Sequence, residues 1–253
     1  MNLKKALLAT RRVLLRHLVP ELYWPKFAEI DGVKVRVRGA PYSFGVKRLL
    51  LAGGYEAEER RLLAELLEPG MQVLEMGSSI GIVSSVIAHR IGAGGKLVAI
   101  EASADLVAYS RTWLEESPQT KVVAGFGFPV WQVRDSLSVS GFDDKNGSLG
   151  GMVAVSDGGE PGEREQIWDM SRACETYGLQ PDVLVCDIEG SEAVLLDHDP
   201  VWPATLRHVV IELHPSLLAG GDADVQSICR RIEAQGFEQR EEIRNTFWFS
   251  RRL

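Results

Sequence analysis

The chain has 253 residues, of which 45% are hydrophobic and 25% charged, an ordinary composition for one large folded domain with at most an extension. Its net charge of −7 divides unevenly, with +8 in residues 1–50 and −15 in the remainder. The acidic balance excludes nucleic acid as a partner of the main domain. It leaves the basic segment to meet a peripheral membrane surface, an acidic protein or the chain's own acidic body.

No apolar run approaches a membrane span, and Arg11, Arg12 and Arg16 interrupt any signal-peptide core. Cys174, Cys186 and Cys229 are too far apart for a metal-binding pair. A reduced, cytoplasmic setting is expected.

In chain order, residues 3–18 read as a basic amphipathic helix with Leu3, Leu7, Leu14 and Leu18 near one face. Residues 28–38 read as a small hairpin turning at Asp31-Gly32, and 56–67 as a helix closing at Pro69-Gly70. Strands then alternate with helices. The strands are expected at 71–76, 97–101, 121–125, 182–187 and 207–212, and the helices at 81–91, 104–116, 163–177, 189–197 and 222–235. Residues 237–243 and 246–252 form a closing antiparallel hairpin at the sheet edge. The pattern predicts an α/β protein with a Rossmann-like, doubly wound, mostly parallel sheet. Its domains are a basic N-terminal extension, residues 1–50, and a main domain, residues 51–253. An insert at 126–162 is rich in turn residues, and its flanks 134–140 and 151–156 pair as strands. It is a candidate acceptor lid or a plain surface hairpin.

Ligands of open parallel sheets bind outside the carboxyl ends of the strands, so strand-end residues are the candidates for chemistry. The first strand ends in Glu75, followed by Gly77, Ser78, Ser79 and Gly81 and then a helix. The glycines admit a close-lying ligand, the serines keep the loop narrow, and the helix start offers N–H groups to an anion. An acid at the mouth of this loop repels phosphates. It therefore disfavours ATP or a dinucleotide, whose Gly-x-Gly-x-x-Gly spacing is also missing. S-adenosylmethionine has no phosphate and carries an ammonium and a sulfonium, and its carboxylate suits the helix start.

Glu101 ends the second strand, twenty residues after Gly81, where a carboxylate accepts hydrogen bonds from ribose hydroxyls. The third strand ends at Phe126, a candidate wall for adenine. The fourth ends in Asp187-Ile188-Glu189-Gly190-Ser191-Glu192. Asp187 points best at the site, while Glu192 reads as a first-turn helix acid. The fifth ends in Glu212-Leu213-His214-Pro215, and His214 is the natural general base near neutral pH.

These segments resemble the FkbM-type S-adenosylmethionine-dependent methyltransferases. The resemblance runs from Gly54-Tyr55-Glu56 through Val73–Gly81, Ile100-Glu101 and Asp187–Glu192 to Ile211–Pro215. The Asp-x-Glu-Gly-x-Glu element is its most specific part. It implies a class I methyltransferase fold acting on a hydroxyl of a sugar, glycan or natural-product acceptor. It also implies that Glu75 and the 77–81 loop hold the methionine part of the donor, that Glu101 holds the ribose, and that Asp187 and Glu189 border the transfer site.

The expected base is His214, followed by Asp187 or Glu189. No metal is required. In a variant reading, Asp187, Glu189 and Glu212 offer Mg²⁺ hard oxygen ligands. The alternative from another class is a non-catalytic scaffold that docks a partner.

Overall fold

The computed structural model describes residues 23–40, 42–114, 119–132, 137–143, 152–157, 167–198 and 201–252. The helix expected at 3–18 lies outside the described residues. The chain divides into two compact units, Met1–Ala57 and Glu58–Leu253.

In the first unit, β1 (Phe27–Ile30) and β2 (Val33–Arg36) pair antiparallel. Asp31 and Gly32 turn the chain at φ values of 49° and 86°, the left-handed conformation that Asp-Gly supplies in a two-residue hairpin loop. Helix α1 (Phe44–Leu51) follows, and the Ser43 hydroxyl caps it by accepting from the Val46 N–H. This helix is absent from the sequence-based expectation, although its N-cap serine was visible.

Helix α2 (Ala57–Leu66) leads into the second unit. There follow β3 (Gln72–Met76), α3 (Ile82–Ile91), β4 (Lys96–Glu101), α4 (Ala104–Leu114), β5 (Thr120–Ala124), β6 (Phe126–Gly127), β7 (Leu137–Asp143) and β8 (Met152–Asp157). Next come β9 (Ile167–Trp168), α5 (Met170–Tyr177), β10 (Val183–Cys186), a 3-10 turn at Ser191–Ala193 and α6 (Val194–Asp197). The unit ends with β11 (His208–Glu212), α7 (Asp222–Ala234), β12 (Phe237–Ile243) and β13 (Thr246–Arg251).

Seven strands form one sheet in the order β5-β4-β3-β10-β11-β13-β12. The first five in that order run parallel, and β13 pairs antiparallel with both β11 and β12. This is the expected Rossmann-like, doubly wound, mostly parallel sheet, with the closing hairpin at the edge. The chain builds outward from β3 to β4 and β5, then returns to the other side of β3 with β10. The strand order therefore reverses between β3 and β10, where ligands of such sheets bind.

The central strands are largely apolar because both faces are covered, with Glu75 inside β3 the exception. Alternation sends Leu74, Met76, Ile100, Leu184 and Ile211 into a core with Phe128, Met170, Phe237 and Phe249. It sends Val73, Leu97, Val185 and Val210 into a second core with Leu62, Leu63 and Ile87.

Two expected helices differ in the structure. The helix anticipated from 163 begins at Met170, because Asp169 caps it by accepting from the Arg172 N–H at 2.9 Å. Ile167 and Trp168 pair instead with β6. The helix anticipated over 189–197 is a left-handed turn at Glu189 and Gly190 (φ 52° and 93°) followed by the 3-10 turn and the short α6. Within the insert, β7 and β8 pair antiparallel. Residues 144–151 and 158–166 lie outside the described residues. Among the described residues, no helix is long and apolar enough to cross a membrane.

The strand ends are drawn together around Gly77 (φ 88°). The Asp187 N–H donates to the Met76 carbonyl at 2.9 Å, and the Gly77 and Ser78 N–H groups donate to the Ile100 carbonyl at 2.9 and 3.1 Å. A Cβ on Gly77 would lie 1.6 Å from the Asp187 carbonyl oxygen. Gly70 has a similar φ of 90° but nothing within 4 Å of its would-be Cβ. Gly77→Ala is therefore expected to cost roughly 3 kcal/mol or more, and Gly70→Ala about 1 kcal/mol for the conformation alone. Urea unfolding measures both. Equal losses would mean that the strand ends separate freely.

Candidate active site

Glu75 lies inside β3, beside Ala99 of β4 and Val185 of β10. The sequence set it at an open mouth, yet it is only 2% exposed. Its carboxylate accepts a 2.6 Å hydrogen bond from the Ser84 hydroxyl on α3. Burial pushes its pKa up to about 7, with the Ser84 bond opposing and the nearby Glu101 charge adding to the rise. Ser84 is a partner that sequence reasoning missed. Its signal was a polar pair, Ser84-Ser85, in the apolar run Ile82–Ala88.

The loop after β3 has left-handed residues at Gly77, Ser79 and Gly81, with φ values of 88°, 48° and 76°. Gly81 fits against α4, where a Cβ would meet Leu114 Cδ1 at 2.6 Å. As the N-cap of α3 it supplies no side-chain acceptor, so the first-turn N–H groups keep their capacity for an anion. The loop is tied to β4. The Ser79 N–H donates to Glu101 Oε2 at 2.7 Å, and the Ser103 N–H donates to Oε1 at 2.8 Å. Burial raises the pKa of Glu101, and these backbone bonds oppose the rise. Ser78 Oγ is buried and has no hydrogen-bond partner among the described residues.

A second group of acids gathers at the carboxyl ends of β10 and β11. His214 Nε2 lies 3.8 Å from Asp187 Oδ1, 3.6 Å from Glu189 Oε2 and 3.7 Å from Glu212 Oε1, while Nδ1 lies 3.9 Å from Glu192 Oε1. The structure thus brings His214, Asp187 and Glu189 together. It corrects the reading of Glu192 as a plain first-turn acid. Glu192 is wholly buried and turns back to accept the Ile188 and Gly190 N–H groups at 2.9 and 2.8 Å. Burial raises the pKa of Glu192 and of Glu212, in both cases against the attraction of His214. Asp187, Glu212 and His214 can each turn one ligand atom to within 4.8 Å of the others.

The two groups meet at one seam, since Asp187 follows β10 where Gly77 follows β3. The backbone of β8 runs beside the turn at Ser191–Ala193, so the insert borders the acidic group. Phe126 is part of the large core and no open wall. Phe126 also pairs with Ile167 where β6 meets β9.

The sequence model of the family described as Protein-L-isoaspartate(D-aspartate) O-methyltransferase matches residues 40–132. Ribosomal RNA large subunit methyltransferase E of Sorangium cellulosum (strain So ce56) is 39% identical over 71 residues, which are 28% of this chain and 30% of that protein. The chain therefore spans less than a third of the curated relative it matches. Among solved structures, Aeropyrum pernix fibrillarin with natively bound S-adenosyl-L-methionine is 11% identical, with a TM-score of 0.45 over 77% of this chain and 74% of that one. The Methanococcus jannaschii fibrillarin pre-rRNA processing protein is 12% identical, with a TM-score of 0.41 over 72% and 66%. The strand order of the chain itself carries the fold.

These matches overturn the exclusion of nucleic acid, because the curated relative is named for ribosomal RNA. The physical reason is that the −15 summed over residues 51–253 does not describe the local field that a phosphate backbone meets.

The buried Glu75 also predicts a pH dependence. Its pKa is about 7 in the folded chain against 4.5 when unfolded. The folded state therefore holds the extra proton, and this stabilising contribution is lost as pH rises through 7. The loss is roughly 3 kcal/mol for so enclosed a group. Without a ligand, Glu75→Gln should be more stable than the parent at pH 8 and close to it at pH 5. Denaturant unfolding at the two pH values reads this out. An equal difference at both would show that Glu75 does not titrate in this range.

Proposed function

We propose that the chain transfers a methyl group from S-adenosylmethionine to a hydroxyl oxygen. The observation that carries this reading is the pair of enclosed carboxylates at neighbouring strand ends, Glu75 and Glu101, joined by a glycine loop. Phosphates would meet acid there, whereas a cationic donor relieves it. The loop also fits the donor's other parts. Gly77 and Gly81 leave backbone uncovered, and Ser78 Oγ is buried without a partner among the described residues. The first-turn N–H groups of α3 suit a carboxylate. In this reading Glu75, Gly77, Ser78, Ser79 and Gly81 hold the methionine part, Glu101 holds the ribose, and Asp187 borders the transfer site.

Bound in this way, the donor supplies an electrophilic methyl group on a sulfonium. The chain's own contribution is to orient an acceptor, an effect that supplies roughly 7–11 kcal/mol in well-ordered sites, and to take the hydroxyl proton. His214, Asp187 and Glu189 are the groups placed to take it. Four carboxylates around one imidazole repel an anionic carboxylate acceptor and tolerate a neutral hydroxyl. Oxygen transfer to an alcohol therefore suits the site better than transfer to an aspartyl group.

The FkbM-type resemblance names the alcohol as that of a sugar, glycan or natural product, and an RNA ribose hydroxyl is of the same chemical class. The turn geometry supports that resemblance. Gly190 sits where a Cβ would meet Leu217 Cβ at 2.8 Å, and Glu192 closes the turn it follows. Residues 51–253 then form the catalytic domain, with the insert as acceptor lid beside Ser191–Ala193. The three free cysteines suit a reduced cytoplasm.

Calorimetric titration with S-adenosylmethionine should show one site, weakened at least tenfold by Glu101→Gln. Binding a cation beside Glu75 expels its proton, so affinity should rise about tenfold from pH 6 to pH 8. No heat, together with no thermal shift at millimolar donor, would favour a scaffold without catalysis. Once an acceptor is in hand, His214→Ala and Asp187→Asn should each lower kcat by roughly 10²–10⁴-fold. Unchanged turnover in both would remove this cluster from the chemistry.

A further inference from the structure

We propose that Asp187, Glu212 and His214 form a site for one divalent cation of the Mn²⁺ type at the carboxyl ends of β10 and β11. The role given to the cation rests on the methyl-transfer reading, while the existence of the site does not.

The ligand atoms converge. Asp187 Oδ1 and Glu212 Oε1 lie 3.8 and 3.7 Å from His214 Nε2, and all three groups can present one atom within 4.8 Å of the others. Ligand atoms around a metal with bonds of about 2.0–2.3 Å are roughly 3–4.5 Å apart. The supporting backbone is rigid. Cys186 and Ile211 are register partners in adjacent parallel strands, so Asp187 and Glu212 are the next residues on each.

The far side of the imidazole gives a second, separate indication. Nδ1 is buried without a hydrogen bond among the described residues, and the wholly buried Glu192 carboxylate faces it at 3.9 Å. The Ile188 and Gly190 N–H groups pin that carboxylate. A carboxylate fixed on the Nδ1 side favours the tautomer with its proton on Nδ1, which leaves the Nε2 lone pair facing the other two ligands.

Charge points the same way. Glu189, Glu192 and Glu212 meet no lysine or arginine at ion-pair distance among the described residues. One imidazole cannot balance these three carboxylates. A divalent cation does. Two oxygens and one nitrogen suit Mn²⁺ better than Mg²⁺ or Ca²⁺, which take oxygen. Three protein ligands leave positions open for an acceptor hydroxyl, whose proton the cation would acidify. Glu189, 3.6 Å from Nε2, then stands beside the site as proton acceptor. The sequence-based variant had Glu189 as a ligand, and the geometry substitutes His214.

The test is a Mn²⁺ titration of the full chain without donor or acceptor, followed by loss of the free-ion EPR signal. The expected result is one Mn²⁺ per chain. Asp187→Asn, Glu212→Gln and His214→Gln should each weaken binding at least tenfold, and Asp105→Asn, exposed on α4, should not change it. Circular dichroism checks that each variant is folded, and the three independent ligand variants keep the test informative if one fails to fold. Absence of binding up to about 1 mM Mn²⁺, or equal binding by the parent and the folded ligand variants, overturns the site. Because donor and acceptor are absent, either result leaves the methyl-transfer reading to its own titration.

Discussion

The candidate site depends on the missing side chain at residue 77. Three parallel strands end within hydrogen-bonding reach of one another there. Met76 accepts from Asp187, and Ile100 accepts from both Gly77 and Ser78. The carbonyl of Asp187 occupies the space a Cβ would need. Only glycine lets β3 turn into its loop while β10 passes this close. From that contact follow the left-handed loop, the bond from Ser79 to Glu101, and the position of Asp187 beside His214.

The same closeness makes the site electrostatically expensive. Two groups of carboxylates share a small, largely enclosed region, and the chain treats them differently. Glu75 and Glu101 each receive hydrogen bonds, from a hydroxyl and from backbone N–H groups respectively. Burial still dominates and holds both carboxyls above the usual range. Around His214, the imidazole lies 3.6–3.9 Å from Asp187, Glu189, Glu192 and Glu212, beyond hydrogen-bonding distance, and of these Glu192 is held by the Ile188 and Gly190 N–H groups. A folded chain that keeps acids in this state is giving up stability locally, which is the pattern of sites built for a ligand. A core of Leu74, Met76, Ile100, Leu184 and Ile211 immediately beneath supplies the compensating burial.

Much of this was legible in the sequence where one physical signal dominated. Continuous apolar runs marked the five parallel strands, and the Asp31-Gly32 turn marked the small hairpin. Glycine spacing with two strand-end acids marked the loop and Glu101. Sequence reading failed where tertiary partners decide. Glu192 sits where a first-turn helix acid belongs, and only the left-handed Glu189-Gly190 pair turns it back into a cap. Ile167-Trp168 looked helical because the segment before α5 carries no breaker, and its pairing with Phe126-Gly127 is a contact over some forty residues. Ser84 could not be assigned to Glu75 without knowing that α3 packs its first turn on β3. The exclusion of nucleic acid failed for another reason, since the charge summed over a whole domain was used where the local field matters.

Asp187 has two roles, and this links the two halves of the site. Its backbone lies against Gly77, on the side of the donor loop, and its carboxylate belongs to the His214 group on the other side. The separation between the two halves is therefore set by peptide geometry across one strand seam, with no long side chain intervening. Peptide units are far stiffer than side-chain torsions. Rate acceleration that comes from orientation needs reacting groups held to within a fraction of an ångström. A site whose halves are joined through backbone meets that demand without a separate clamp. It also fits the place of the bridging acid just past β10, because one residue earlier, at Cys186, it would be inside the sheet.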